Sequence, residues 1–436
     1  MNQTELLLRI KKHFKSSIKN ANDQDFYLSS FSPTPGWIIL KKLQNKHLSF
    51  FAEKKINFYL FLSSLSLSNT KIFYKKITGK FNSIILTWGN IRNFKKNGSF
   101  EDKYFNQNSK KNKKFLWFII SLDNKIPNKL DNNIVLFLNN NLNFINFIPS
   151  LLNLLKRYFV GIFNFKNQAS LSYLENLSFE LWKKLVLFLK TKKLKKFVMP
   201  YEAQPFQNYI FKKIKNYNKN ITNIGYVHST QPFPSHLYKR EGSPDKIYVH
   251  GNDQKYHLNK YLGWKKNQIK SIPSFRFLKK NKNYFINKVF LPYDFYNPQI
   301  ILQLFENLIK KHDEKINVNM QVIQNPRKKK SQKHKILQEG LIEILQNFKL
   351  TKQINKKNKS TIIIGASSAT LEALENGLNP YHICEDHLLE MCSGYLWPSI
   401  KVREVLKNCY QYKLKKFNNC INYKKLSNKI NLNYFR

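Results

Sequence analysis

Cysteine is scarce in this chain: 436 residues hold 4, at Cys384, Cys392, Cys409 and Cys420, none in CxxC spacing. A disulfide scaffold is excluded, and reduced thiols in a cytoplasmic protein are expected. His382 and His387 lie among them, but the spacing fits no common zinc pattern, so no metal is expected. Acidic residues are short as well, 26 against 75 basic ones, for a net charge of +49. Gly and Ala are few while Lys, Asn, Ile, Phe and Tyr abound. The abundant residues have A/T-rich codons, so codon composition accounts for much of the charge. A dedicated nucleic-acid surface is therefore not expected, although a cationic face favours anionic lipid head groups and nucleotide substrates. No apolar run reaches about 18 residues, because Asn and Lys interrupt each candidate, and no membrane span is expected. The first residues, MNQTELLLRIKKHF, lack a signal-peptide core.

What is present is a globular composition, 42% hydrophobic with 15% aromatics, long enough for two sizeable domains. An amphipathic helix is expected within residues 1–24, using Leu6, Leu7, Ile10, Phe14 and Ile18. The run from Trp37 to Leu67 is ambiguous between helix and strand. Short apolar strands follow at Ser83 to Trp88, Phe115 to Leu122 and Ile134 to Leu138, then helical patterns from Asn143 to Leu194. Strand and helix alternate thereafter: Phe197 to Tyr201, Pro205 to Tyr217, Asn223 to His228, a Pro- and Ser-rich loop to Pro244, Asp245 to His250, then a helix opened by Gly251. Ile269 to Pro273, Lys288 to Pro292, Pro298 to His312, Asn317 to Ile323 and Ser331 to Phe348 continue the pattern. This βαβα order predicts an α/β protein with parallel sheets covered by helices. Two Rossmann-like units are expected, 1–240 and 241–410, with a Lys- and Asn-rich tail at 411–436 that frays.

The chain is organised around Thr361 to Ile383, TIIIGASSATLEALENGLNPYHI, which reads as strand, tight turn, helix and strand. The turn leaves helix N–H groups unpaired beside the positive end of the helix dipole. With Gly365 for the turn and the hydroxyls of Ser367, Ser368 and Thr370, it is a seat for a phosphate. Glu372, one helical turn on, can accept hydrogen bonds from the vicinal hydroxyls of a ribose; Glu375 is a nearby decoy. In doubly wound sheets ligands sit at the carboxyl ends of strands. Those ends include Trp88, Gly89, Asn90, Asp123, Tyr201, Glu202, Gln204, His228, His250, Arg276, Asp294 and Asn325. Glu202, walled by Tyr201 and Phe206, is a candidate general base whose pKa burial would raise; the alternative is a carboxylate at a helix start. His228 is a second base or a phosphate holder, or else a structural imidazole. Arg276, one of few Arg residues, suits a phosphate. Lys328 to Lys330 read as a solvated charge run.

These residues resemble a known group. YEAQPFQ from Tyr201, GYVHST from Gly225 and PDKIYVHG from Pro244 resemble bacterial surface-polysaccharide biosynthesis proteins of the GT-B glycosyltransferase type. LTWGNIRNF, DKYF after Glu101 and LWFIISLD look like the N-terminal half of that group. SSATLEALENG is similar to the nucleotide-sugar contact of such enzymes, and Ser367-Ser368 to the phosphate-binding serines of sialyl- and Kdo-type transferases. Those carry a His-Pro pair where this chain has Asn325-Pro326. The resemblance implies two domains facing across a cleft and a nucleotide sugar as substrate, with no further cofactor. The donor would rest on Gly365, Ser367, Ser368, Thr370, Glu372, Arg276 and Asn325. The acceptor, a lipid-linked or polysaccharide glycan of capsule, O-antigen or lipopolysaccharide, would meet Glu202 or His228, at the inner face of the cytoplasmic membrane. Alternative expectations are an epimerase or polymer phosphotransferase of the same fold, or a non-catalytic protein binding nucleic acid or an anionic surface.

Overall fold

A computed structural model describes residues 1–17, 40–46, 69–77, 81–140, 152, 173–190, 194–277, 280–312, 315–324, 331–351, 359–423 and 431–435. Asn325, Pro326, Lys328 to Lys330 and, apart from residues 40–46, the ambiguous run from Trp37 to Leu67 lie outside these residues. So does most of the helical stretch expected before Tyr173.

The first half contributes strands β1 (Asn69–Tyr74), β2 (Ser83–Gly89), β3 (Glu101–Asp102), β4 (Gln107–Asn108), β5 (Phe115–Ser121), β6 (Ile134–Asn140), β7 (Lys196–Pro200), β8 (Thr222–Tyr226), β9 (Lys246–Val249) and β10 (Ile269–Ser271). Apart from the small β3–β4 pair, they form one eight-stranded sheet in the order β1-β6-β5-β2-β7-β8-β9-β10. Every neighbour is parallel except β1, which runs antiparallel to β6. Every residue of β5, FLWFIIS, is buried. A continuous apolar strand is what a parallel sheet covered on both faces requires. Helices α1 (Gln3–Ser17), α2 (Tyr173–Leu189), α3 (Pro205–Tyr217) and α4 (Asn252–Lys260) accompany this half.

The second half adds β11 (Lys288–Phe290), β12 (Gln321–Ile323), β13 (Thr361–Ile364), β14 (Tyr381–Ile383), β15 (Ile400–Leu406) and β16 (Cys409–Leu414), in the order β12-β11-β13-β14-β16-β15. The first four are parallel, and the β15–β16 hairpin closes the edge antiparallel. Its helices are α5 (Lys282–Phe285), α6 (Pro298–His312), α7 (Gln332–Thr351), α8 (Ala369–Glu375) and α9 (His387–Glu390). In α6, Ile301, Phe305, Leu308 and Ile309 are buried at helical spacing. Pro298 opens the helix, and Lys310, Lys311 and His312 face the negative end of its dipole. The architecture is therefore mixed α/β with two largely parallel sheets.

Two features differ from expectation. β9 and β10 extend the first sheet, so the chain changes sheet between Ser271 and Lys288 rather than near residue 240. The tail does not fray where it is described. β16 is held between β14 and β15, and Tyr412, Cys420, Ile421 and Phe435 are fully buried. Its Lys and Asn residues dominate the composition, but its few apolar side chains find both cores. Glu375 binds this segment directly, accepting from the N–H groups of Asn418 (2.7 Å), Cys420 (3.0 Å) and Ile421 (3.3 Å). Farther on, Phe435 stacks on Tyr248 and Phe275 beside the first sheet. The other end crosses the opposite way: Gln3 donates to the carbonyls of Leu388 and Met391, at and just beyond α9.

Candidate active site

Strand order reverses once in the parallel part of each sheet. In the first, β5 and β6 lie on one side of β2 while β7 and its successors lie on the other. In the second, β12 lies on one side of β11 while β13 and β14 lie on the other. At such a reversal the loops leave the carboxyl ends in opposite directions and open a crevice. Glu202 follows β7 at the first reversal, and the Gly365 turn follows β13 at the second.

Glu202 is held by a rigid turn. Gln207, from the first turn of α3, accepts from the N–H groups of Glu202 (2.9 Å) and Gln204 (3.1 Å) and donates to the Pro200 carbonyl (2.6 Å). Ala203 between them adopts a left-handed backbone with φ +54, and its carbonyl accepts from the buried Arg240 at 2.7 Å. A non-glycine residue persists there only when its surroundings over-determine the conformation. The Glu202 carboxylate then meets His228 Nε2 at 3.2 Å and accepts from Gln204 Nε2 at 2.9 Å. Burial was expected to raise its pKa, and burial does oppose ionisation. The charge and hydrogen bond of His228, the charge of His236 and the Gln204 bond win, and hold the carboxyl down at about 2. His236 itself is pushed down to about 4, by burial first. His228 is buried, with its Nδ1 lacking a hydrogen-bond partner.

The second turn is equally well supported. Gly365 has φ +68, and a Cβ there would stand 2.9 Å from Pro292 Cβ, so only glycine fits. Its carbonyl lies 2.8 Å from His382 Nε2, whose Nδ1 is 3.0 Å from the Tyr412 hydroxyl. A neutral imidazole satisfies both by donating from Nε2 and accepting at Nδ1. Burial pushes His382 down to about 4 and so keeps it neutral. His382 is thus a strut beneath the turn. Cys384 and Cys392 are buried free thiols, and among the described residues no group of three or more His, Cys, Asp or Glu is arranged to hold a metal ion.

Ser367 and Ser368 are half-buried, whereas Thr370 is fully buried with its hydroxyl unpartnered. Ser367 Oγ accepts from Ala369 N–H at 3.2 Å, and Ser368 Oγ donates to Glu372 at 3.1 Å. Burial raises the Glu372 carboxyl to about 7, against the charge of Arg276 and the Ser368 bond. Glu375 spends both oxygens on the tail, which settles it as structural.

Arg276 lies within electrostatic reach of Glu372 and of His250. It is exposed, follows β10, and its charge acts on Glu372 from one side and on the buried His250, at the end of β9, from the other. His250 also feels the charge of His228, and burial above all takes it down to about 3. Glu202 and His228 thus pair at the first reversal and Arg276 acts on Glu372 at the second, with the buried, neutral His250 within reach of both His228 and Arg276.

Gln207, Arg240 and His236 were not among the expected site residues. The Gln204-to-Gln207 spacing is a helix-start signal that points to the first of these. Nothing in the irregular stretch from Gln231 to Pro244 marks the other two, since a buried loop carries no hydrophobic period.

No protein-family model matches the chain, and no curated protein matches it in sequence. Among solved structures it is similar to a glycosyltransferase from Rickettsia africae ESF-5, at 13% identity and a TM-score of 0.33, over 73% of this chain and 88% of that one. The superposition is loose at that score, so the chemistry has to be read from this chain's own residues.

Proposed function

We propose that the chain is a metal-independent glycosyltransferase of the GT-B type, moving a sugar from a nucleotide donor to a growing surface glycan of the capsule, O-antigen or lipopolysaccharide class. The observation that carries this reading is the placement of two unlike polar turns at the two strand-order reversals, with Arg276 between them. The donor's phosphates would rest on the Gly365 turn with Ser367 and Ser368, its ribose on Glu372, and its leaving phosphate against Arg276. The acceptor hydroxyl oxygen attacks the anomeric carbon. The bond from that carbon to the donor phosphate breaks, the phosphate leaves with the electron pair, and the acceptor proton passes to His228. Glu202 is held too low to keep a proton at neutral pH; it accepts from Nε2–H, leaves Nδ1 as the lone-pair nitrogen, and stabilises the imidazolium that forms. Turn N–H groups and a guanidinium can carry the phosphate charge that a metal ion carries elsewhere. The excess of positive charge, +49, supports a stay near an anionic membrane surface holding a lipid-linked acceptor.

Titration calorimetry with CMP, UDP, GDP and TDP, followed by product analysis with the radiolabelled sugars of the base that binds, tests the reading. Saturable binding of one nucleotide that Glu372→Ala weakens, with transfer that survives EDTA, is expected. Absence of binding by all four, or binding indifferent to Glu372, defeats it.

A further inference from the structure

Trp88 and Tyr104 take no part in the chemistry above, yet they stand against its base. Trp88 lies near the end of β2, the strand at the first reversal, and is half-buried. Its ring meets the ring of Tyr104, also half-buried, with centroids 5.6 Å apart, and the buried Phe206 backs it edge-on at 5.6 Å. Tyr104 in turn meets the His228 imidazole at 4.6 Å and 82°. The turn carrying Tyr104 is fixed from below by the buried Asp102, which accepts from the Thr87 hydroxyl and from Phe105 N–H (2.6 Å). Burying an ionisable group is costly unless it is hydrogen-bonded, and these bonds to Asp102 hold the turn in place. Two aromatic rings are thus locked, partly open, beside the pair that receives the proton.

A binding site of this make-up, aromatic walls with few polar groups converging at one end, orients a ligand that is apolar on one face and polar at its rim. A pyranose has that character: its axial C–H bonds present partial positive charge, which the negative face of an aromatic ring attracts. We propose that Trp88 and Tyr104 form the acceptor-sugar subsite, stacking on the C–H face of a pyranose whose reacting hydroxyl turns toward Glu202 and His228. This rests on the transferase reading and adds the chemical class of its acceptor terminus.

Saturation-transfer NMR tests it without requiring turnover. The probes are the methyl β-glycosides of glucose, galactose and N-acetylglucosamine at millimolar concentration, with the four nucleoside monophosphates as the contrasting set. Irradiating aromatic protons should label the C–H protons of one sugar face for at least one glycoside. Trp88→Leu, which keeps apolar bulk but removes the ring, should weaken that glycoside about tenfold; an unchanged melting temperature shows that the core is intact. Tyr104→Leu should do the same and leave nucleotide binding alone. If no glycoside is labelled, or labelling survives both variants, the subsite is not there. If Trp88→Leu instead abolishes labelling of a nucleoside base, the platform belongs to the donor and the acceptor assignment is overturned. Sugar binding lost in Trp88→Leu without any nucleotide binding at Glu372 would keep the subsite and remove the transferase. Transfer unaffected by Trp88→Leu would do the reverse.

Discussion

Glu202 and Glu372 occupy comparable places, one in the turn after β7 and one in the first turn of α8, just past the Gly365 turn after β13, each where its sheet reverses order, and their surroundings drive them in opposite directions. Glu202 has a histidine in contact, a second histidine charge nearby and a glutamine amide on its other oxygen, and is held at about 2. Glu372 has one serine hydroxyl and an arginine at longer range, and burial carries it to about 7. Burial alone does not set a carboxyl's pKa; the number of donors and charges within reach does. Carboxyls separated in this way have separate tasks. The one fixed as an anion can orient and stabilise an imidazolium. The one near neutrality can be tuned by what binds, since in the proposed complex ribose hydroxyls and a phosphate on Arg276 would alter its surroundings.

The largest effects should break the first turn. His228→Ala should lower turnover about 10²–10⁴-fold, the usual worth of a positioned general base, with donor affinity unchanged by calorimetry. A parallel loss of donor affinity would mean that His228 belongs to the nucleotide side. The second turn should fail differently: Glu372→Ala should cost about 1.5–3 kcal/mol of nucleotide binding, the worth of hydrogen bonds to a charged group. Saturating donor should then restore most of the turnover. If saturating donor restores nothing, the two carboxyls do not divide the work as described.

The two turns also differ in how far the residues disclosed them. The Gly365 turn is legible because a β-favouring run, a glycine and a hydroxyl cluster each leave a local mark, and β13, α8 and β14 fall where those marks predict. Parallel strands such as β5 are legible for the same reason, as unbroken apolar runs. Glu202 was found through its strand end, but its ionisation was not. That depends chiefly on His228 and His236, which approach from 26 and 34 residues away along the chain and follow no period. The sheet change after Ser271 and the held tail were missed for a related reason. Pairing of β9 and β10 with the first sheet, and the grip of Glu375 on residues 418–421, are tertiary choices that composition conceals.

A pH series separates the two carboxyls by sign. Between the ordinary glutamate value of 4.5 and about 7, folded Glu372 keeps a proton that the unfolded chain has released, so its contribution to stability falls as pH rises through that window. Glu202 is depressed, so its contribution is full above 4.5 and is lost as pH falls toward about 2. Asp102, raised to about 6, and Glu390, raised to about 8, act in the same direction as Glu372. The informative quantity is therefore the difference in melting temperature between wild type and Glu372→Gln from pH 5 to 8, which should shift in the variant's favour as pH rises. Nucleotide affinity should climb over the same range in wild type and stay flatter in Glu372→Gln, because an ionised carboxylate is the stronger acceptor for the proposed ribose hydroxyls. A variant that keeps the full wild-type pH dependence would show that Glu372 is not the titrating group.

The smallest effect concerns the backbone of the first turn. Ala203 at φ +54 stores strain on the order of 1–3 kcal/mol, and Ala203→Gly releases it while adding about 0.5–1 kcal/mol of unfolded-state entropy. The release equals or exceeds the entropy cost, so the melting temperature should stay level or rise. The geometry should nevertheless suffer, because the carbonyl of residue 203 is what Arg240 grips, and a glycine lets the turn relax away from it. Glu202 would then sit less firmly on His228, and turnover should fall severalfold without loss of stability or of donor affinity. The His228 ring resonance, followed by NMR through a pH titration, should move toward that of Glu202→Gln. If Ala203→Gly instead leaves both the titration and the turnover at wild-type values, the left-handed turn is incidental. Glu202 is then positioned by Gln204 and Gln207 alone, and the contrast between the two turns rests on their side chains.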